Sequence, residues 1–130
     1  ETSAREREAF MRGAGIEPGG RIPPALRAQV KALDDEAKRR ATRLVRDVID
    51  RFLLDIHSVF RDVLALQLDT GATLVNPGIE RELTERTRVH SAQTTLALLD
   101  AVGTARKRVG MNVPPQLALE ALLASVVAAR

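Results

Sequence analysis

Few side chains in this 130-residue chain are placed to do chemistry. Its two histidines, His57 and His90, stand far apart in sequence, each without a second histidine four residues away and without spare carboxylates nearby. A zinc site needs three or four such ligands converging, so both read as structural or surface residues. Asp34, Asp35 and Glu36 form the densest acidic group, but Lys31, Lys38, Arg39 and Arg40 surround them. Alternating charge of this kind marks a solvated helix face. No G-x-S-x-G elbow and no phosphate-binding P-loop occurs. Gly13, Gly15, Gly19 and Gly20 lack the preceding strand that a dinucleotide fingerprint requires. The absence of Cys removes disulfides, thiolate ligands and a Cys nucleophile, and it fits a reducing, cytoplasmic setting. The expectation is a chain with no catalytic, cofactor-binding or metal site, and not an enzyme.

One basic run supports a binding hypothesis: Lys38, Arg39, Arg40, Arg43 and Arg46. Arg39, Arg43 and Arg46 fall on one helical face and could meet phosphates or an acidic partner. Asp35, Glu36 and Asp47 dilute that face and no aromatic residue interleaves it. A solvated or partner-facing helix is therefore the favoured reading, with an independent helical DNA-binding module as the alternative. The isoelectric point near 10.2 adds little, because the formal charge is only +3. Most of the basic residues are Arg, which stay protonated and lift the isoelectric point more than the charge.

The elements that carry these residues read as helices throughout. Hydrophobic residues make up 45% of the chain and aromatics only 2%, so Leu, Val, Ile and Ala must fill the core. No period-2 stretch is long enough for a strand. Ser3 and Glu6 have capping-box spacing for a first helix from Ser3 to Met11. The run Gly13 to Gly20 then reads as a flexible connection, separating residues 1–20 from a helical domain over 21–130. Pro23 and Pro24 suit the first turn of the next helix. From Ala25 to Thr70 there is neither Gly nor Pro, and apolar residues recur at helical spacing from Leu26 to Leu64. A single helix of that length, about 70 Å at roughly 1.5 Å per residue, outreaches a compact domain. A bend or break is therefore expected near Lys38–Arg43, with Gly71 ending the element.

A further helix is expected from Asn76-Pro77, capped by Asn76 and burying Ile79 and Leu83. Another begins at the Ser91 cap, carries Leu96, Leu99, Val102, Ala105 and Val109, and closes at Gly110. Asn112-Val113-Pro114-Pro115 opens a last helix from about Gln116 to Ala129. The sum is an all-α bundle of about five helices. The last one is apolar around most of its circumference, with only Gln116, Glu120 and Ser125 polar before its end. A helix of that kind must be covered on every side. It is either a central core helix or one face of a contact between subunits.

Nothing here is a membrane span, since no run of about 18 apolar residues exists. The charged start, Glu1 to Glu8, lacks the apolar stretch of a signal peptide. It also lacks an initiating Met, which reads as a fragment cut from a longer protein.

Three stretches resemble a known family. Val59-Phe60-Arg61-Asp62-Val63-Leu64-Ala65-Leu66-Gln67 resembles the Trp-Tyr-Arg-Asp helix of clamp-loader C-terminal domains. Leu74-Val75-Asn76-Pro77 is similar to the turn that follows it there, and Asn112 to Leu123 is similar to their closing helix. The order and spacing of the three cover about Arg43 to Val127. The chain thus resembles the collar domains of bacterial clamp-loader subunits, the delta-prime branch above all. The resemblance implies two preceding AAA+-type domains and a collar that joins delta, delta-prime and gamma/tau subunits in a ring of five. That ring loads the sliding clamp onto primed DNA, without a membrane. On this reading the candidate subunit interface is Arg61, Asp62, Leu119, Leu122, Leu123 and Val126, with Arg61 and Asp62 pairing either across the interface or within the domain. Val59, Phe60 and Pro114 depart from the family's Trp, Tyr and Asn.

Overall fold

The computed structural model describes residues 2–17, 20–111 and 113–128. Five α-helices follow in order: α1 (Thr2–Gly13), α2 (Pro24–Gln67), α3 (Glu80–Arg86), α4 (Ala92–Gly110) and α5 (Pro115–Ala128). A 3₁₀ turn, Pro77–Ile79, leads into α3. No strand occurs among the described residues, so the chain is all-α as its periodicity implies. Among them, no helix is long and apolar enough to cross a membrane. Contacts divide the chain into two compact units, Glu1–Val45 and Arg46–Arg130, and α2 contributes to both.

In the first unit, Ser3 lies inside α1 and not at its cap. The Glu6 carboxylate, expected to fold back on the cap, instead accepts from Arg40 on α2. At the other end of α1, Ile16 N donates to Met11 O and Gly15 N to Arg12 O, which is a Schellman ending. It requires the left-handed φ of +72° that Gly15 supplies at no steric cost. Pro24 occupies the first position of α2, where its missing N–H leaves nothing unpaired.

The helix expected to break near Lys38–Arg43 does not: α2 is uninterrupted there. A thinning apolar stripe removes packing, but not backbone hydrogen bonding. The local sequence, with no Gly or Pro and several Ala, Lys and Arg, has high intrinsic helix propensity. The helix ends at Gln67, before Gly71. Its ending is a second Schellman motif, Thr70 N to Ala65 O and Asp69 N to Leu66 O, with Asp69 at φ +47°.

The second unit has the larger core. Leu53 of α2 meets Val102, Ala105 and Val109 of α4 and Ala118 and Leu122 of α5, with Ile49, Ile56, Leu119 and Val126 packed around them. The α4 row runs Leu98, Val102, Ala105, Val109, spaced four, three and four. Leu96, expected in that row, falls off its phase and is half exposed, while Leu98 takes the place. Ser91 does cap α4, accepting from Thr94 N at 3.1 Å. Leu83 is buried as expected, but Ile79 sits in the 3₁₀ turn ahead of α3 and is 41% exposed. The α5 helix starts at Pro115. The capping role expected of Asn112 lies outside the described residues.

Candidate functional site: a buried latch and an uncovered apolar face

Arg61 and Asp62 adjoin on the C-terminal half of α2, and the structure pairs them within the chain. Asp62 is fully buried. Its Oδ1 accepts from Arg61 at 2.8 Å and from Val75 N at 3.0 Å. Its Oδ2 accepts from Asn76 N at 2.7 Å and from the Asn76 side-chain amide at 2.9 Å. Arg61 also donates to Thr73 O at 2.7 Å, and Asn76 Nδ2 to Ser58 Oγ at 3.1 Å. Burial pushes the Asp62 carboxyl up, but hydrogen bonds to its ionised form from Val75, Arg61 and Asn76 outweigh that and hold it at about 2. The result is a latch that fixes residues 73–76 against α2. Asn76, expected to cap the following turn, makes no side-chain cap there because its amide is committed to Asp62.

A second polar tie joins α2 to α4. Arg106 Nε donates to Asp50 Oδ1 at 2.8 Å and Arg106 Nη2 to Asp50 Oδ2 at 3.1 Å, a two-pronged pair. The Arg106 hydrogen bond is the main reason the Asp50 carboxyl lies below its ordinary value. At the end of α2, Gln67 Nε2 donates to His90 O at 2.6 Å and holds the α3–α4 turn.

The candidate interface residues of α5 divide between its two sides. Leu122 belongs to the domain's own core, and Leu119 and Val126 pack against that core. Leu123 is 63% exposed, and Leu117 and Val127, which the apolar count did not separate from the rest, are also more than half exposed. The α5 helix is therefore half core and half uncovered. Beside it lies an apolar groove of about 250 Å³, walled by Ile56 and Phe60 of α2, Leu98 and Val102 of α4, and Leu122, Leu123 and Val126 of α5. One turn before Ile56, Phe52 is 59% exposed, and Val48 a turn earlier is exposed too. Both belong to the apolar stripe that periodicity assigns to a core. A single sequence cannot tell which edge of a broad stripe lies beyond the reach of the neighbouring helices.

The basic candidates are placed differently. Arg39 pairs with Glu36 at 3.4 Å, and Arg40 with Glu6. Arg39 and Arg43 lie in the first unit and Arg46 in the second. Among the described residues, no three His, Asp or Glu side chains gather closely enough to hold a metal ion. Compared with protein-family models, curated proteins and solved structures, the chain matches none of them.

Proposed function

We propose that this chain is the C-terminal collar domain of a bacterial clamp-loader subunit, of the delta-prime type. Its role is assembly: it catalyses nothing itself and binds gamma/tau and delta collars in the cytoplasmic ring that loads the sliding clamp onto primed DNA during replication. The observation that carries the reading is the uncovered apolar side of α5, with Leu117, Leu123 and Val127 exposed, on the helix whose sequence most resembles the family. Monomers seldom leave a large contiguous apolar patch in water unless something covers it. The partners themselves are named by the resemblance of residues 59–68, 74–77 and 112–123. The DNA-binding alternative has less support, since Glu36 and Glu6 engage two of the cations in its basic run.

Co-expression with gamma/tau and delta collars, followed by mass measurement of the purified assembly, tests the proposal. The expected result is a complex containing this chain, lost in Leu123→Asp with helical content unchanged. Leu122→Asp is the wrong probe, because Leu122 is a core residue and its loss unfolds the domain. A chain that stays out of every complex, in its longer natural context as well, overturns the reading.

A further inference from the structure

The α1 helix lacks the packing that holds the others. None of its residues is buried, whereas every other helix buries at least one. It faces residues 34–41 of α2 across a cleft that Ser3, Ala4 and Arg7 share with Asp34, Ala37 and Ala41. Small side chains on both walls give that contact little apolar area. The specific ties are two ion pairs, Glu6 with Arg40 and Arg7 with Asp34. All four side chains are close to half exposed, so solvent and salt reach both pairs. The chain that follows adds no anchor at its start, since a Cβ placed on Gly13 or Gly15 would meet nothing within 4 Å.

Detached, α1 would not stay folded. At 12 residues it lies at the lower limit for a helix that holds its shape alone in water. No acidic residue stands in its first turn to favour its dipole. The Glu6 carboxylate, whose spacing to Ser3 suits a cap, is committed to Arg40. Docking and folding of α1 are therefore one event. We propose that α1 is an ionic strap, which folds onto α2 at low ionic strength and undocks and melts as salt rises. Each exposed pair shifts that equilibrium by only about fivefold or less. The screening length falls from about 30 Å at 0.01 M salt to about 3 Å at 1 M, so salt acts on both pairs. The core of the second unit contains no residue from 1–45 and loses nothing when α1 leaves. Opening also returns Arg40 to the run Lys38–Arg43, so the strap sets how much positive charge that run shows. None of these residues belongs to the face assigned to partner collars, and the strap stands or falls separately from that reading.

Segment-resolved hydrogen exchange of the 130-residue chain, from about 0.02 M to about 1 M sodium chloride, is the test. The α1 amides should exchange about a hundredfold or more faster than those of α4. They should accelerate about threefold or more with salt, while α4 stays unchanged. Arg40→Gln should reproduce much of that acceleration at low salt, although it alters no residue of α1. The swap Glu6→Arg with Arg40→Glu should restore the parent rate. Glu120→Gln, on α5, should leave α1 as it was. Exchange of α1 as slow as that of α4, fast exchange indifferent to salt or to Arg40→Gln, or opening of α4 along with α1 overturns the proposal.

Discussion

The two units of this chain are held by different means. In residues 1–45, Val30 is the one hydrophobic side chain among those described that is buried, and α1 buries none. What ties α1 to α2 there is a set of exposed ion pairs, Arg40 with Glu6 and Arg7 with Asp34 at 3.7 Å. In residues 46–130 a contiguous apolar core is backed by two polar ties, one of them centred on the fully buried carboxylate of Asp62. Exposed ion pairs contribute little, because solvent already screens the charges and ordering two long side chains costs entropy. Apolar burial and satisfied buried polar groups contribute much more. The contrast teaches that helical periodicity alone does not tell a strongly held helix from a weakly held one. Both units read as helix, and only one has a substantial interior.

The largest effect should come from the core of the second unit. Leu53 is wholly buried among residues of three helices. Leu53→Ala should cost about 2–5 kcal/mol in denaturant unfolding. If it costs no more than an exposed substitution in α1, the contrast between the units is wrong.

Next is the latch. Asp62→Ala leaves the Val75 and Asn76 N–H groups without their acceptor, while Arg61, partly exposed, keeps Thr73 O, and should cost about 1–3 kcal/mol. The latch also has a pH signature. The folded value of Asp62, about 2, lies below the ordinary 3.8. Its stabilisation is therefore complete above the ordinary value and is lost as pH falls from there through about 2, a change of about 2 kcal/mol. Unfolding free energies measured between pH 5 and pH 2 should show that loss in the parent chain, and Asp62→Asn should flatten it. An equal slope in both would show that Asp62 is not the titrating group.

The smallest effects should come from the ion pairs, and they sharpen the comparison. A double-mutant cycle on Asp50 and Arg106, two-pronged and partly exposed, should give a coupling of about 1 kcal/mol or less, reduced by salt. The Arg7–Asp34 cycle in the first unit should give less still, because that contact is longer and more exposed. Reversal of this order would mean that surface charge, not burial, organises the chain.

How much of this was legible in advance varies from residue to residue, for physical reasons. The α4 cap at Ser91 depends on a contact three residues away, and local pattern is enough to find it. The continuity of α2 through Lys38–Arg43 follows from local propensity, which acts whether or not the apolar stripe continues. The burial of Asp62 was not legible. Its partners Val75 and Asn76 lie 13 and 14 residues downstream, beyond any helical period. A signal was nonetheless present: a carboxylate within the apolar run Val59–Leu68, followed by an Asn-Pro turn, has to find donors somewhere. On α5, an all-round apolar sequence gave no phase, so Leu122 in the core and Leu123 in solvent could not be told apart.

The latch has a consequence for how this sequence can drift. Asp62 and Arg61 grip the following loop largely by its main chain, through the N–H groups of Val75 and Asn76 and the carbonyl of Thr73. Thr73 and Val75 can therefore change identity with little consequence, so long as the backbone keeps its course. Adding or deleting one residue between Gln67 and Asn76 would move the Val75 and Asn76 donors out of reach of the same carboxylate. Among related sequences, the length of this segment should be held more tightly than its composition, with Arg61, Asp62 and Asn76 the exceptions.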